Sequence, residues 1–139
     1  MVTKTFRELQ EVDTLVGSLY GKNPELKDSK FGYAYKRFVD KNYMSHLKEF
    51  QYELNDVRID NAMEDPNTKE VLRDPTNTRG FRYTKEGLKK VIGQENEITT
   101  RWDVKEIEVE AFACPTESLP TLTEGQTELL KGIVIKPEI

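Results

Sequence analysis

The longest uninterrupted helical pattern in this sequence covers residues 30–58. This stretch contains no proline, and its one glycine, Gly32, stands near the start. Apolar side chains recur there at steps of mostly three or four residues, which is the spacing of one face of an α-helix. They are Phe31, Tyr35, Phe38, Val39, Tyr43, Leu47, Phe50, Leu54 and Val57. A helix of about thirty residues is roughly 45 Å long, so we expect either that another helix or a second copy of the chain covers its apolar stripe, or that part of the helix stands clear of the body.

Two further segments combine helical spacing with capping residues. Thr5 and Glu8 form a capping box before a predicted helix over residues 6–20. Thr84 precedes a predicted helix over residues 85–99, which we expect to return antiparallel along the long helix. The narrow apolar face of this returning helix consists of Leu88, Val91, Ile92 and Ile98.

Short strands are predicted between and after these helices. Residues 70–73 and 80–83 border turn sequences rich in Asp, Pro and Asn, and they predict a β-hairpin at the tip of the helical pair. Ile107, Val109, Ala111 and Ala113 alternate with Glu106, Glu108, Glu110 and Phe112, which is typical of a strand with one buried face and one acidic face. A capping box of Thr123 and Gln126 opens a short helix, and residues 133–135 predict a closing strand.

These elements predict an α+β protein that is mainly α. Its architecture is a long antiparallel helical hairpin tipped by a β-hairpin, with a small C-terminal strand and helix segment. We expect a single domain over residues 1–139, with the helical hairpin body at 1–93 and an acidic segment at 94–139 packed on it. Residues 1–93 carry 17 basic and 15 acidic side chains, net +2, whereas residues 94–139 carry 4 and 10, net −6.

Composition excludes several functional classes. A single cysteine, Cys114, permits no internal disulfide and no cysteine-based metal cage, and a single histidine, His46, rules out paired-histidine zinc motifs. The longest apolar run is four residues, far below the length of a membrane helix, and the N-terminus lacks a secretory apolar region. We therefore expect the chain to act in the cytosol. The acidic C-terminal segment repels phosphate backbones and disfavours nucleic acid as a partner.

A basic cluster near the predicted hairpin is the main candidate binding site. Cations beside a helix N-terminus can hold an anion, so the cluster predicts a site for a phosphorylated ligand or an acidic protein face. The alternative is an ordinary solvated surface that balances nearby acidic residues. The cluster consists of Arg73, Arg79, Arg82, Lys85, Lys89 and Lys90, and the binding residues that we assign from it are Arg73, Arg79, Arg82, Lys85 and Lys89.

Two tyrosines add to this set of candidates. Tyr33 and Tyr52 lie off the apolar stripe of the long helix, so we expect them to contact something outside the domain. The remaining aromatic residues of the long helix follow its stripe and predict core packing.

An acidic row on the predicted strand is a further candidate. Glu106, Glu108 and Glu110 share one strand face and could hold a divalent cation, as in a metal-dependent hydrolase. Charged residues on an edge strand also prevent aggregation, and we favour this interpretation. We assign no metal site, no cofactor and no catalytic residue.

The order of motifs resembles a family of small proteins of unknown function from tailed bacteriophages. The resemblance is carried by Lys27-Asp28-Ser29-Lys30-Phe31 at the start of the long helix, the polar hairpin at 74–87, the acidic strand at 106–110 and the Leu-Pro loop and helix at 119–130. It spans roughly residues 5–135 and implies a phage origin, with action in the bacterial host cytoplasm or the virion. The family provides no catalytic residues to transfer.

We therefore expect a non-enzymatic interaction module encoded by a phage, either a virion or assembly component or an accessory factor that binds a host protein. The alternative is an oligomer that sequesters a phosphorylated or nucleotide-like small molecule with Arg79, Arg82, Lys85, Lys89 and Tyr33. Apolar surface left on the long helix predicts a homo-oligomer.

Overall fold

Helices dominate residues 1–137, the part of the chain that the computed structural model describes. In chain order the elements are β1 (Val2–Thr5), α1 (Phe6–Lys22), α2 (Lys30–Phe38), α3 (Met44–Asn61), α4 (Lys85–Asp103), β2 (Glu106–Val109) and α5 (Glu124–Leu130). A π-helical turn, Val39–Tyr43, joins α2 to α3, and short 3-10 helices cover Pro24–Asp28 and Thr116–Ser118. The predicted class, α+β and mainly α, is confirmed.

The chain forms two compact units. The first contains Met1–Leu47 and the chain from Asp103 onward, and the second contains Lys48–Trp102. These limits fall inside α3 and α4. They do not coincide with the predicted change at residue 94, and the predicted single domain with its body at 1–93 stays a prediction.

A two-stranded antiparallel sheet lies in the first unit. β1 pairs with β2 in a register that places Val2 opposite Val109 and Lys4 opposite Ile107. Ile107 and Val109 are buried while Glu106 and Glu108 are exposed, as the alternation predicted. The partner strand β1 was not predicted, because its four residues carry too short a pattern to distinguish from a helix lead-in.

The predicted capping box at the start of α1 is confirmed. The Glu8 backbone N–H donates to the Thr5 hydroxyl over 3.1 Å, and the Thr5 N–H donates to the Glu8 carboxylate over 3.1 Å. Four side chains of α1, namely Phe6, Leu9, Val12 and Val16, are buried in the core of the first unit.

Helical backbone continues from Lys30 to Asn61, as the long stripe predicted, but it includes the π-helical turn. The stripe residues Phe31, Tyr35, Phe38, Tyr43 and Phe50 are buried, which confirms their prediction as core. The turn also contains Asn42, whose side-chain amide donates to the Glu110 carbonyl over 2.8 Å and whose oxygen accepts from the Glu110 N–H over 2.9 Å. This pair continues the hydrogen bonding of β2 by one residue, with a side chain in place of a strand.

Within the second unit, α3 and α4 run antiparallel. Asn61 at the end of α3 donates to Gln94 over 2.7 Å, while Glu53, about two turns earlier, accepts from Arg101 over 3.2 Å. The Trp102 ring lies edge-on to Phe50 with centroids 5.8 Å apart. The predicted helical hairpin is therefore present.

The predicted β-hairpin at residues 70–73 and 80–83 is reduced to a single antiparallel bridge between Arg73 and Phe81. A third segment joins it, because the Leu72 N–H donates to the Met63 carbonyl over 2.8 Å and the Met63 N–H donates to the Arg82 carbonyl over 2.9 Å. Proline and Asx turns on both sides leave too few residues in line for longer strands.

The predicted closing strand at residues 133–135 is wrong. Gly132 has a φ of +83°, and the amides of Ile133, Val134 and Ile135 all point to the Leu130 carbonyl, at 3.0 to 3.2 Å. A chain that winds around one carbonyl cannot present a ladder to a neighbouring strand. The segment is instead a tight turn whose carbonyls accept from Phe112 and Cys114.

The apolar face predicted for α4 is wrong in part. Val91 and Ile98 are buried as expected, but they share the buried face with Glu95 and Trp102. Leu88 and Ile92 are 39% and 40% exposed. The buried face is therefore narrower than the predicted one, and its centre is rotated from the predicted centre by about 25°.

Gly32 fits a close approach of backbone segments that no other residue would allow. A Cβ atom at this position would lie 2.2 Å from the Lys27 carbonyl oxygen and 2.6 Å from the Leu26 carbonyl oxygen. The 3-10 segment that precedes α2 thus lies directly against the first turn of the helix.

We expect Gly32→Ala to lower the free energy of unfolding by about 2 kcal/mol or more, because backbone atoms on both sides must move apart. The matched control is Gly17→Ala in α1, where a Cβ atom meets nothing within 4 Å. Alanine favours helix at that position by about 0.5–1 kcal/mol, so this variant should be stabilised. Urea unfolding followed by circular dichroism measures both changes, and equal effects at the two glycines would contradict the packing argument.

Candidate functional site

A buried carboxylate links the elements of the second unit. Glu95 lies on the buried face of α4 with only 9% of its surface exposed. Arg58 of α3 donates through Nε to Glu95 Oε2 over 2.7 Å. Arg79, in the loop between the helices, donates through Nε and Nη2 to Glu95 Oε1 over 2.9 and 2.8 Å. Both oxygens are thus satisfied, and one side chain links two helices and the loop.

The ionisation of this group follows from its partners. Burial by itself raises the pKa of Glu95, but the hydrogen bonds and charges of Arg79 and Arg58 outweigh it and the net pKa is lowered. The hydrogen bond to Glu95 raises the pKa of Arg79 in return. Glu95 and Arg79 thus each stabilise the charged form of the other.

A groove of about 450 Å³, here called the Arg82 groove, opens in the same unit. The loop and the start of α4 supply most of its walls. Its lining residues are Met63, Asp74, Asn77, Arg79, Phe81, Arg82, Tyr83 and Leu88. Phe81 is buried, whereas Met63 and Leu88 are each 39% exposed, so apolar surface is open at the edge of the groove.

The predicted basic residues differ in their surroundings. Arg79 lines the groove, but its guanidinium is bound to Glu95. The Arg73 guanidinium lies over the Phe81 ring, 5.3 Å from its centroid. Arg82 lines the groove and is exposed. Lys85 and Lys89 are exposed on α4, and in the described part of the chain no carboxylate lies within ion-pair distance of these two lysines or of Arg82.

The two predicted tyrosines are exposed, and they belong to different units. Tyr33 on α2 is 60% exposed and lines a cavity of about 260 Å³ in the first unit together with Lys30, Arg37 and Phe112. Tyr52 on α3 is 67% exposed in the second unit and is not among the residues that line the Arg82 groove. The sequence correctly separated both tyrosines from the core, but they do not share a cavity.

One face of α4 continues the groove. Lys85, Leu88, Lys89 and Ile92, here called the α4 strip, are spaced by three or four residues and are all exposed. Leu88 belongs to both the strip and the groove. Glu97 lies about 120° around the helix from Lys85, and Glu86 lies about 100° from Lys85 and about 60° from Lys89, at the edge of the strip. The strip therefore combines two apolar side chains with two lysines and contains no acidic residue.

The acidic row and the cysteine are the remaining residues that the sequence singled out. Among residues 1–137 no cluster of three His, Cys, Asp or Glu side chains could hold a metal ion. Cys114 is half-buried, and burial raises the pKa of its thiol, which keeps it in the less reactive protonated form. None of the helices in the described part of the chain combines the length and apolar character that crossing a membrane requires.

Sequence reasoning missed Glu95 and Arg58. The signal was present, because Glu95 is four residues after Val91 and three before Ile98, and so it occupies a core position of an amphipathic helix. A carboxylate at such a position indicates a buried ion pair. Its two arginine partners, 37 and 16 residues away along the chain, could not be read from the sequence.

Comparison of the chain with known proteins adds no relative. Neither a protein family model, nor a curated protein, nor a solved structure matches it.

We expect Glu95→Gln to lower the free energy of unfolding by about 2–4 kcal/mol, because the change leaves two arginines side by side without their shared carboxylate. The control is Glu97→Gln on the exposed side of the same helix, which should shift it by less than about 0.5 kcal/mol. Chemical unfolding at pH 7 measures both. A loss at Glu95 no greater than at Glu97 would show that the network does not stabilise the unit.

The wild type and the Glu95→Gln variant should respond differently to acid. Because folding lowers the pKa of Glu95, its contribution is complete above the unfolded-state value of about 4.3 and is lost as the pH falls through the lower folded-state value. The difference in unfolding free energy between the wild type and Glu95→Gln should therefore shrink below about pH 4. A difference that is independent of pH down to 2.5 would contradict the assignment.

Tyr83 carries a polar group whose removal should not destabilise the protein, in contrast to Glu95. Its hydroxyl is buried without a hydrogen-bond partner among the described residues, and burial raises its pKa. We expect Tyr83→Phe to leave the free energy of unfolding unchanged or to increase it by up to about 1 kcal/mol, because an unsatisfied polar group is removed. A loss of more than about 1 kcal/mol in urea unfolding would show that the hydroxyl has a partner.

Proposed function

We propose that this protein is a phage-encoded, non-enzymatic protein–protein interaction module, either a virion or assembly component or an accessory factor that contacts a host protein. The observation that carries the proposal is the exposed apolar surface formed by Met63, Leu88 and Ile92 beside three cations without ion-pair partners in the described chain. The resemblance to tailed-phage proteins supports the origin and the bacterial cytoplasm or virion as the place of action.

Exposed apolar side chains next to a groove favour a protein partner. Large apolar residues that a fold leaves open and surrounds with polar groups are typical of interaction sites. Met63 and Leu88 meet this description at the edge of the Arg82 groove, and Ile92 extends it along α4. Contact with another protein would bury this surface, and the surrounding lysines would set the orientation of the partner.

The alternative is an oligomer that sequesters a phosphorylated or nucleotide-like molecule. The volume of the Arg82 groove, about 450 Å³, and the presence of Arg82 favour it. Two of the residues expected to bind this molecule are less suited to it, since Arg79 is bound to Glu95 and Tyr33 lines a different cavity. Interaction through the exposed apolar surface therefore remains the better-supported function.

A second copy of the chain is one partner that the module should recognise. The long helix was expected to leave apolar surface for self-association, and Tyr52, with 67% of its surface exposed, remains available on α3. A homo-oligomer is part of the proposal, alongside a phage or host protein.

A photo-crosslinking amino acid at position 88 should form discrete adducts in bacterial cells that produce the chain, whereas the same group at position 90 should form few. Both positions are exposed on α4, but residue 90 lies outside the α4 strip, which makes it a matched control. Mass spectrometry identifies the adducts, and one of about twice 16.1 kDa would identify a second copy.

Equal crosslinking at the two positions would contradict docking through this surface. A rise in melting temperature with a nucleotide or sugar phosphate, without adducts at position 88, would favour the sequestering alternative. A hundredfold ligand excess over Kd adds about 2.7 kcal/mol of stability, which thermal unfolding detects easily.

A further inference from the structure

We infer that the Arg82 groove and the α4 strip bind an acidic linear segment of another protein, which places one large apolar side chain in the groove. This inference rests on the proposed interaction function and adds the chemistry of the partner. It is carried by the juxtaposition of an open apolar groove with unpaired cations.

The groove has an apolar side that is held in place before any partner arrives. Phe81 forms buried apolar wall, and Met63 and Leu88 form the exposed edge. The loop is fixed by Asn77, whose side chain donates to the Phe81 carbonyl over 2.8 Å and accepts from the Gly80 N–H over 2.6 Å. The ion pair of Arg79 with Glu95 is a second interaction that holds this loop in place. A preformed groove costs little ordering on binding, so one anchoring side chain can contribute strongly.

The charges that surround the groove favour an acidic partner. Arg82 at the groove and Lys85 and Lys89 on the α4 strip are exposed, and no carboxylate of the described chain pairs with them. Surfaces of opposite sign attract during encounter and exclude partners of the same sign. A basic segment would be repelled here, and a neutral segment would gain no electrostatic attraction from the three cations.

Asp74 is the one acidic residue that lines the groove. Its carboxylate accepts from the Thr76 N–H over 3.0 Å and from the Thr76 hydroxyl over 2.5 Å, which is the largest reason that its pKa is lowered; Arg82 lowers it further. It therefore stays ionised and opposes an acidic ligand slightly. This opposition provides a test with a defined sign, since removing the charge should tighten binding.

The size of the surface fits a short segment. From Lys85 to Ile92 the strip extends about 10 Å along α4, at about 1.5 Å per residue. Three or four extended residues span that distance. An anchor in the groove with acidic residues on one side would therefore reach both Arg82 and the two lysines.

Selection from a displayed library of random dodecamer peptides tests the inference. Peptides enriched on the full-length wild type should be acidic and carry a large apolar residue. Those enriched on the Arg82→Glu/Lys89→Glu double variant should instead be basic. If the double variant unfolds, as judged by circular dichroism, Lys89→Glu alone provides the comparison, because Lys89 is exposed on a helix face.

The best enriched peptide, made synthetically, is then the probe for affinity measurements. Leu88→Ala should weaken its binding about tenfold, since Leu88 lies at the groove edge. Lys89→Glu should weaken it several-fold and reduce its dependence on salt, whereas the neighbouring Lys90→Glu should change it less than twofold. Asp74→Asn, which keeps the capacity for an Asx turn, should tighten it about twofold.

Three outcomes would overturn the inference. Enriched peptides that are neutral or basic, or equal effects at Lys89 and Lys90, would mean that the charge pattern does not select the partner. Absence of enrichment combined with discrete adducts at position 88 would leave the proposed interaction function standing but replace a linear segment with a folded surface. A dimer that Lys89→Glu dissociates, without peptide enrichment, would assign the surface to a second copy.

Discussion

The ion pairs of Glu95 with Arg58 and Arg79 are the interaction on which the second unit depends. This unit has few large buried side chains on α3, where Phe50 is the one buried residue and is still 9% exposed, so apolar packing contributes less here than in the first unit. A buried carboxylate is costly unless every oxygen is paired, and here both are. The stability of the unit therefore depends on satisfying this one group.

The same carboxylate explains the candidate site. With Glu95 directed into the core together with Val91, Ile98 and Trp102, the buried face of α4 is centred on these residues, and Leu88 and Ile92 fall at its margin. Arg79, held by Glu95, positions the loop that forms the groove wall. Exposed apolar side chains and an ordered groove thus have one cause, a polar residue at a core position.

Beside its apolar core, the first unit contains a hydrogen-bonded contact and a close backbone approach that link segments of the chain. The Asn42 side chain pairs with both backbone groups of Glu110, and Gly32 lets the preceding segment lie against α2. Neither feature follows from hydrophobic periodicity, because a glycine near a helix start and an asparagine inside a helix are individually unremarkable in a sequence. Periodicity describes which side of an element is apolar. The residues that contact a buried asparagine or a glycine are not given by that pattern.

The sequence by itself determined the helices, the capping boxes of α1 and α5, the buried aromatic stripe, the acidic edge of β2 and the exposure of Tyr33 and Tyr52. These follow from local spacing and local hydrogen bonds, which neighbouring residues define. Only the tertiary structure decided the pairing of β1 with β2, the turn at Gly132, the rotation of α4 and the engagement of Arg79 by Glu95. These depend on groups brought together from distant positions: Glu95 can occupy a core position of α4 only because Arg58 and Arg79, far from it along the chain, pair with both of its oxygens.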